Sequence, residues 1–176
     1  MKQRSVLWQW AGFAVATFGG TILHFLYDWT GGSILVSPFS RVNESTWEHM
    51  KLLFWPLFLF AVVQRLFFTD QKNYWCVKLA EILLGLLQIP VLFYTYNGVF
   101  GKSPDWINIA IFYIFAALVF LFEWWAFKND RLQYKYPRLA FAAICLIGVL
   151  FVVFTFAPPQ IPLFQNPLTG TYGIGG

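Results

Sequence analysis

At 176 residues the chain is one domain in length, and its 11% of charged residues falls far below the roughly 25% of a soluble domain. Hydrophobic residues make up 59%, and the mean hydropathy is +0.59. The net charge of +4 does not point to nucleic acid, because Lys and Arg fall in short segments between apolar runs and form no solvated stripe. Most soluble classes are thereby excluded, and no polar stretch is long enough for a second, soluble domain.

A membrane-crossing helix needs about 20 mainly apolar residues. Five stretches meet that length, at about 6–27, 47–68, 75–96, 106–127 and 138–157, which predicts an all-α polytopic membrane helix bundle with about five transmembrane helices and the lipid bilayer as its surroundings. Lys2 and Arg4 ahead of the first run resemble the start of a signal peptide, and Ala14-Val15-Ala16 offers a small-x-small cleavage site. The apolar run continues well past that site, so an uncleaved first helix is expected. Gly19-Gly20 on this helix would permit close packing against a neighbour.

The longest connection, 28–46, mixes turn residues with an apolar patch, Ile34-Leu35-Val36. A segment that dips back into the membrane interface, or packs over the helix ends, explains that patch better than a solvated loop. In the third stretch Pro90 removes a backbone donor and should kink the helix. The tail, 158–176, is rich in Pro and Gly, carries no charge and keeps Leu163, Phe164 and Tyr172. It is expected to lie against the outer surface and to cover the site between the first two helices. Cys76 and Cys145 show no CxxC spacing and read as buried thiols.

Orientation follows from the basic residues. Lys2, Arg4, Arg65, Lys72, Lys78, Lys128, Arg131, Lys135 and Arg138 fall on one side, against Arg41, Lys51 and Lys102 on the other. Nine against three predicts a cytoplasmic N-terminus, an extracytoplasmic C-terminus and an outer 28–46 connection.

The unusual polar residues gather at that outer side. His24 and Asp28 lie four apart, on one face near the end of the first helix. Glu44, Glu48 and Lys51 form a stripe at i, i+4 and i+7 where the second helix begins, with His49 about 100° from Glu48. Ionisable groups at membrane depth are costly and commonly functional. His24, Asp28, Glu44, Glu48 and His49 are therefore the candidate ligand-binding set. The structural alternative is concrete: Ser45-x-x-Glu48 is a capping box, Glu44 suits a helix N-terminus, and Glu48 with Lys51 makes an i, i+3 pair. Imidazole plus carboxylate would suit Zn, Mn or Fe, although no HExxH or cysteine ligand marks a metal site, and the cofactor is left unknown. Asn43-Glu44-Ser45 matches a glycosylation acceptor but lies close to the second helix.

On the other side, Arg65, Glu81 and Glu123 all fall within helices. Pairing Arg65 with Glu81 or Glu123 would neutralise them, leaving Lys78 to reach the interface; structural ion pairs are favoured here over a proton relay. Gln64 and Gln88 sit deeper and suit hydrogen bonds between helices.

The segment Val42-Asn43-Glu44-Ser45-Thr46-Trp47-Glu48-His49-Met50-Lys51, with Pro162-Leu163-Phe164-Gln165-Asn166-Pro167 and Gly170-Thr171-Tyr172-Gly173, resembles a group of small, uncharacterised bacterial integral membrane proteins. The resemblance spans most of the chain. It implies a bacterial inner-membrane protein and transfers no catalytic residue.

Three function classes fit these residues. One is a protein that binds or transports a small polar or cationic solute at the outer face. The second is an accessory subunit whose polar outer face docks a membrane partner. The third is an intramembrane enzyme using a histidine beside a carboxylate, with or without a metal; Ser37, Ser40 and Ser45 are available to it as nucleophiles but none is marked as activated.

Overall fold

The computed structural model describes residues 2–101, 105–132 and 136–174, with side chains for residues 6–101, 110–132 and 136–174. Lys102 and Lys135, the side chains of Lys2 and Arg4, and the last two glycines therefore lie outside the described residues. Five helices follow in order: α1 (Lys2–Trp29), α2 (Thr46–Arg65), α3 (Tyr74–Phe100), α4 (Asp105–Lys128) and α5 (Pro137–Phe156). A short 3-10 turn, Pro162–Phe164, lies in the tail. No named strand occurs among the described residues, and a single bridge joins Gln165 to Tyr172.

α1, α3, α4 and α5 are each long and apolar enough to cross a membrane. Their outer faces stay apolar, with Leu7, Phe18, Leu87, Val91, Leu121 and Leu146 all largely exposed. A surface of that kind belongs in lipid, and the chain is a multi-pass membrane protein. The second stretch differs from the expectation. α2, at 20 residues about 30 Å long, is not apolar enough to stand among those four because Glu48, Lys51, Gln64 and Arg65 interrupt it. Its polar residues are accommodated by neighbours: α2 packs against α1, α3, α5 and the 3-10 turn. Leu53, Phe54, Leu57 and Ala61 are almost wholly buried along it.

Close approach of α1 to α2 depends on glycine. A Cβ on Gly20 would lie 2.9 Å from the Leu52 carbonyl oxygen, and one on Gly19 3.1 Å from Pro56 Cγ. Gly85 on α3 meets Leu53 in the same way, at 2.9 Å. α3 runs unbroken through Pro90 and ends at Phe100, four residues beyond its expected limit, with Gly101 as its cap at a φ of 78°. α2 ends three residues early. Arg65 there turns its guanidinium onto the carbonyls of Phe68, Thr69 and Gln71, closing the connection to α3.

That placement corrects the expected ion pair. Arg65 does not meet Glu81 or Glu123. Lys78 does: its Nζ lies 2.8 Å from Glu81 and in contact with Glu123, and all three side chains are buried. Lys78 does not reach an interface, and Phe60, Tyr74 and Phe120 pack around its ammonium. The Tyr74 hydroxyl lies within hydrogen-bond distance of the Ala61 carbonyl (2.6 Å) and Gln64 Oε1 (2.9 Å), which joins α2 to α3. Gln88 Oε1 makes no hydrogen bond among the described residues. Cys76 is buried and Cys145 is half-buried.

Candidate functional site

α1 ends in a Schellman motif: Gly32 N–H donates to Tyr27 O and Gly31 N–H to Asp28 O, with φ of 77° and 65° at the two glycines. The chain then doubles back over the helix ends. Ser40 Oγ accepts from Tyr27 N–H at 2.9 Å and donates to Leu23 O, while Trp55 Nε1 donates to Pro38 O at 2.9 Å. These bonds pin the connection to α1 and α2. Of the apolar patch, Ile34 and Leu35 are exposed and Val36 is half-buried, so the first two do not pack over the helix ends.

α2 opens at Thr46, so Glu44 precedes the helix and the expected stripe divides there. Ser45 caps the helix by accepting from Glu48 N–H at 3.4 Å. The reciprocal half of the capping box is absent. Asn43 Oδ1 takes the Ser45 N–H at 2.8 Å, and the Glu48 carboxylate accepts from Val42 N–H at 2.9 Å instead. Glu48 and Lys51 turn inward as a buried pair, 2.6 Å apart. Lys51 Nζ also donates to Ser37 O and Thr155 Oγ1, both at 2.9 Å, and Thr155 passes its own proton to Phe151 O. With three acceptors around one ammonium, Lys51 and Glu48 tie α2, α5 and the connection together. Glu48 is accordingly engaged with Lys51 and Val42, and it is not among the residues whose ligand atoms converge.

His24, Glu44 and His49 do meet. One potential ligand atom from each lies within 4.8 Å of the others, and all three residues are half-buried. The two imidazole rings are 5.9 Å apart, centre to centre. His49 Nδ1 is 2.9 Å from Ser45 O, a carbonyl that can only accept, so Nδ1 holds the proton. His49 Nε2 then faces Glu44 Oε2 at 3.4 Å.

Arg41 organises the cluster, and no sequence motif marks it. Its Nε divides between His24 O at 3.0 Å and His24 Nδ1 at 3.2 Å. Nη1 donates to Glu44 Oε1, and Nη2 to Asp28 Oδ2 at 3.3 Å. Asp28 is mostly exposed, so that second pair is worth little by itself. Two carboxylates against one guanidinium leave the cluster one negative charge in excess when both imidazoles are neutral.

The tail packs beside this cluster, on the start of α2 and the end of α5. The Phe164 ring lies tilted against Trp47 (4.7 Å between centroids) and edge-on to Phe154 (5.4 Å), and Asn43 Nδ2 donates to Gly173 O at 3.1 Å. Asn43 is thereby buried, which removes it as a glycosylation acceptor. The three serines are also engaged: Ser37 Oγ donates to Ile34 O, Ser40 bridges within α1, and Ser45 caps α2. None is held against a histidine as an activated nucleophile.

No curated protein and no solved structure matches the chain. A family model, described as a family of unknown function (DUF6512), matches residues 1–174. Covering nearly the whole bundle, from α1 to the tail packed on Trp47, that match makes the chain a member of the DUF6512 family.

Proposed function

We propose that the protein binds, or binds and transports, a small cationic solute at the membrane end formed by α1, the 28–46 connection and α2, and that this end faces outward. The observation that carries the reading is the convergence of His24, Glu44 and His49 within 4.8 Å from two helices and a loop. Capping requires no such meeting, since Ser45 and Glu48 complete the start of α2 without either histidine. The excess negative charge around Arg41 favours a cation over an anion. The outward direction is supported by the nine-to-three distribution of Lys and Arg.

A thermal-shift comparison in detergent tests the reading. Divalent metal chlorides and small organic ammonium ions such as choline are added to the wild type and to a His24→Ala/His49→Ala variant. At least one of these cations raises the wild-type midpoint and leaves the variant's unchanged. Equal shifts in both proteins, or none in either, would remove the proposal.

A further inference from the structure

We infer that the solute is a divalent first-row transition-metal ion of the zinc class, ligated by His49 Nε2, Glu44 Oε2 and a ring nitrogen of His24. This inference rests on the cation-binding reading above and narrows it.

The argument begins at His49. Its Nδ1 proton is committed to the Ser45 carbonyl, so Nε2 presents a lone pair. That lone pair faces a carboxylate oxygen, which also has only lone pairs to offer, at 3.4 Å. A positive centre is needed between them. It is either a proton, giving an imidazolium–carboxylate pair, or a metal. The separation favours the metal: a tetrahedral site with bonds of about 2.0–2.1 Å has ligand–ligand edges of about 3.3–3.4 Å. A direct charge-assisted hydrogen bond draws its heavy atoms closer, to about 2.7–2.9 Å.

The surroundings fit the same chemistry. A ligating histidine commonly donates its remote N–H to a backbone carbonyl, which fixes the tautomer and aims the ring; His49 does so through Ser45. The carboxylate is oriented in the same manner, with Oε1 held by Arg41 and Oε2 left for the ion. His24 is the adjustable member. Arg41 Nε shares its proton between the His24 carbonyl and Nδ1, so giving up Nδ1 sacrifices only the longer arm of that contact. No pair of ligand atoms exceeds 4.8 Å, and closing to a tetrahedral edge needs a movement of about 1.4 Å at most. Two imidazoles and one carboxylate suit zinc, iron(II) or manganese(II) and do not suit magnesium or calcium, which take oxygen ligands.

The test uses full-length protein in detergent, stripped with chelator and dialysed against Zn²⁺ or Mg²⁺. One Zn²⁺ per chain is expected, with no Mg²⁺. His49→Ala, His24→Ala and Glu44→Gln should each weaken Zn²⁺ binding at least tenfold while the metal-free midpoint stays near that of the wild type. Co²⁺ in place of Zn²⁺ should give the visible absorption of a four- or five-coordinate ion, lost in His49→Gln, a second variant that keeps a polar side chain should His49→Ala fold poorly. The chain's two histidines both lie in this cluster, so Zn²⁺ bound equally by a His24→Ala/His49→Ala protein would overturn the inference. Choline binding without metal binding would overturn the metal and leave the cation site standing. Failure of both would end both.

Discussion

Glu48 Oε2 and Lys51 Nζ lie 2.6 Å apart with neither side chain open to solvent, one helical turn inside the end of α2. Val42 N–H, Ser37 O and Thr155 Oγ1 complete the pair. It therefore joins three parts of the molecule through one buried ion pair and its hydrogen bonds. Removing one side of such a pair strands the other. Lys51→Ala is expected to cost about 3–5 kcal/mol, read as a large fall in the thermal midpoint in detergent. Glu48→Gln keeps an acceptor for Val42 and Lys51 and should cost less. A Lys51→Ala midpoint within a degree or two of the wild type would show that water or lipid headgroups serve Lys51 equally well.

The second buried cation gives a sharper contrast. Lys78 stands between Glu81 and Glu123, whereas Arg65 spends its guanidinium on loop carbonyls. Lys78→Met leaves two carboxylates facing each other in an apolar setting and should destabilise by about 3–5 kcal/mol or more. Adding Glu81→Gln and Glu123→Gln to Lys78→Met should recover much of that loss, a coupling that a double-mutant cycle measures. Arg65→Ala removes hydrogen bonds to backbone and is expected to cost about 1–2 kcal/mol. Equal losses for Arg65→Ala and Lys78→Met would contradict the assignment of the ion pair to Lys78.

These two pairs show what the residues disclosed in advance. The long apolar runs identify the helices, since crossing lipid demands length and apolarity that few other structures need. The grouping of charges is partly legible too: Glu81 and Glu123 fall on the same side in the sequence and do share one cation. Which cation meets the carboxylates was not legible, because that depends on how α2, α3 and α4 turn about their axes. The stripe of Glu44, Glu48 and Lys51 assumed a helix extending to residue 44. The Ser45 cap starts it at Thr46, which separates Glu44 from the inward-turned pair. Arg41 was invisible as a site residue. A lone arginine in a loop has no periodicity, and only the folding back of 28–46 carries it onto His24 and Glu44.

Packing of α1 supplies a prediction independent of charge. A methyl group on Gly20 would meet the Leu52 carbonyl at 2.9 Å and Phe112 Cζ at 2.8 Å. The ring can shift, but the carbonyl belongs to the α2 backbone and cannot rotate away. Gly20→Ala should therefore push α1 from α2 and cost about 1–3 kcal/mol. Gly98→Ala is the control, since nothing lies within 4 Å of the added atom and the helix gains propensity. Its midpoint should hold or rise slightly. Similar falls for both would mean that the α1–α2 contact does not limit stability.

Membrane orientation decides what the cluster can reach. The proposed direction rests on basic residues near the helix ends, and three of them can be moved experimentally. Lys128, Arg131 and Arg138 lie about the α4–α5 connection, on the side assigned to the cytoplasm. A periplasm-active reporter fused after Gly176 should be active, and one inserted in the 128–138 connection should be silent; a cytoplasm-active reporter should give the reverse pattern. Exchanging the three basic residues for Gln should weaken this preference, and adding Lys residues to the 28–46 connection should weaken it further. His24, Glu44 and His49 would then follow the connection to the opposite side. A cysteine placed at the exposed Leu35 should react with an impermeant maleimide from outside in the wild type, with Cys76 and Cys145 replaced by Ser to remove background. Labelling only after the membrane is opened would put the cluster on the cytoplasmic face, and any cation it takes would have to come from within the cell.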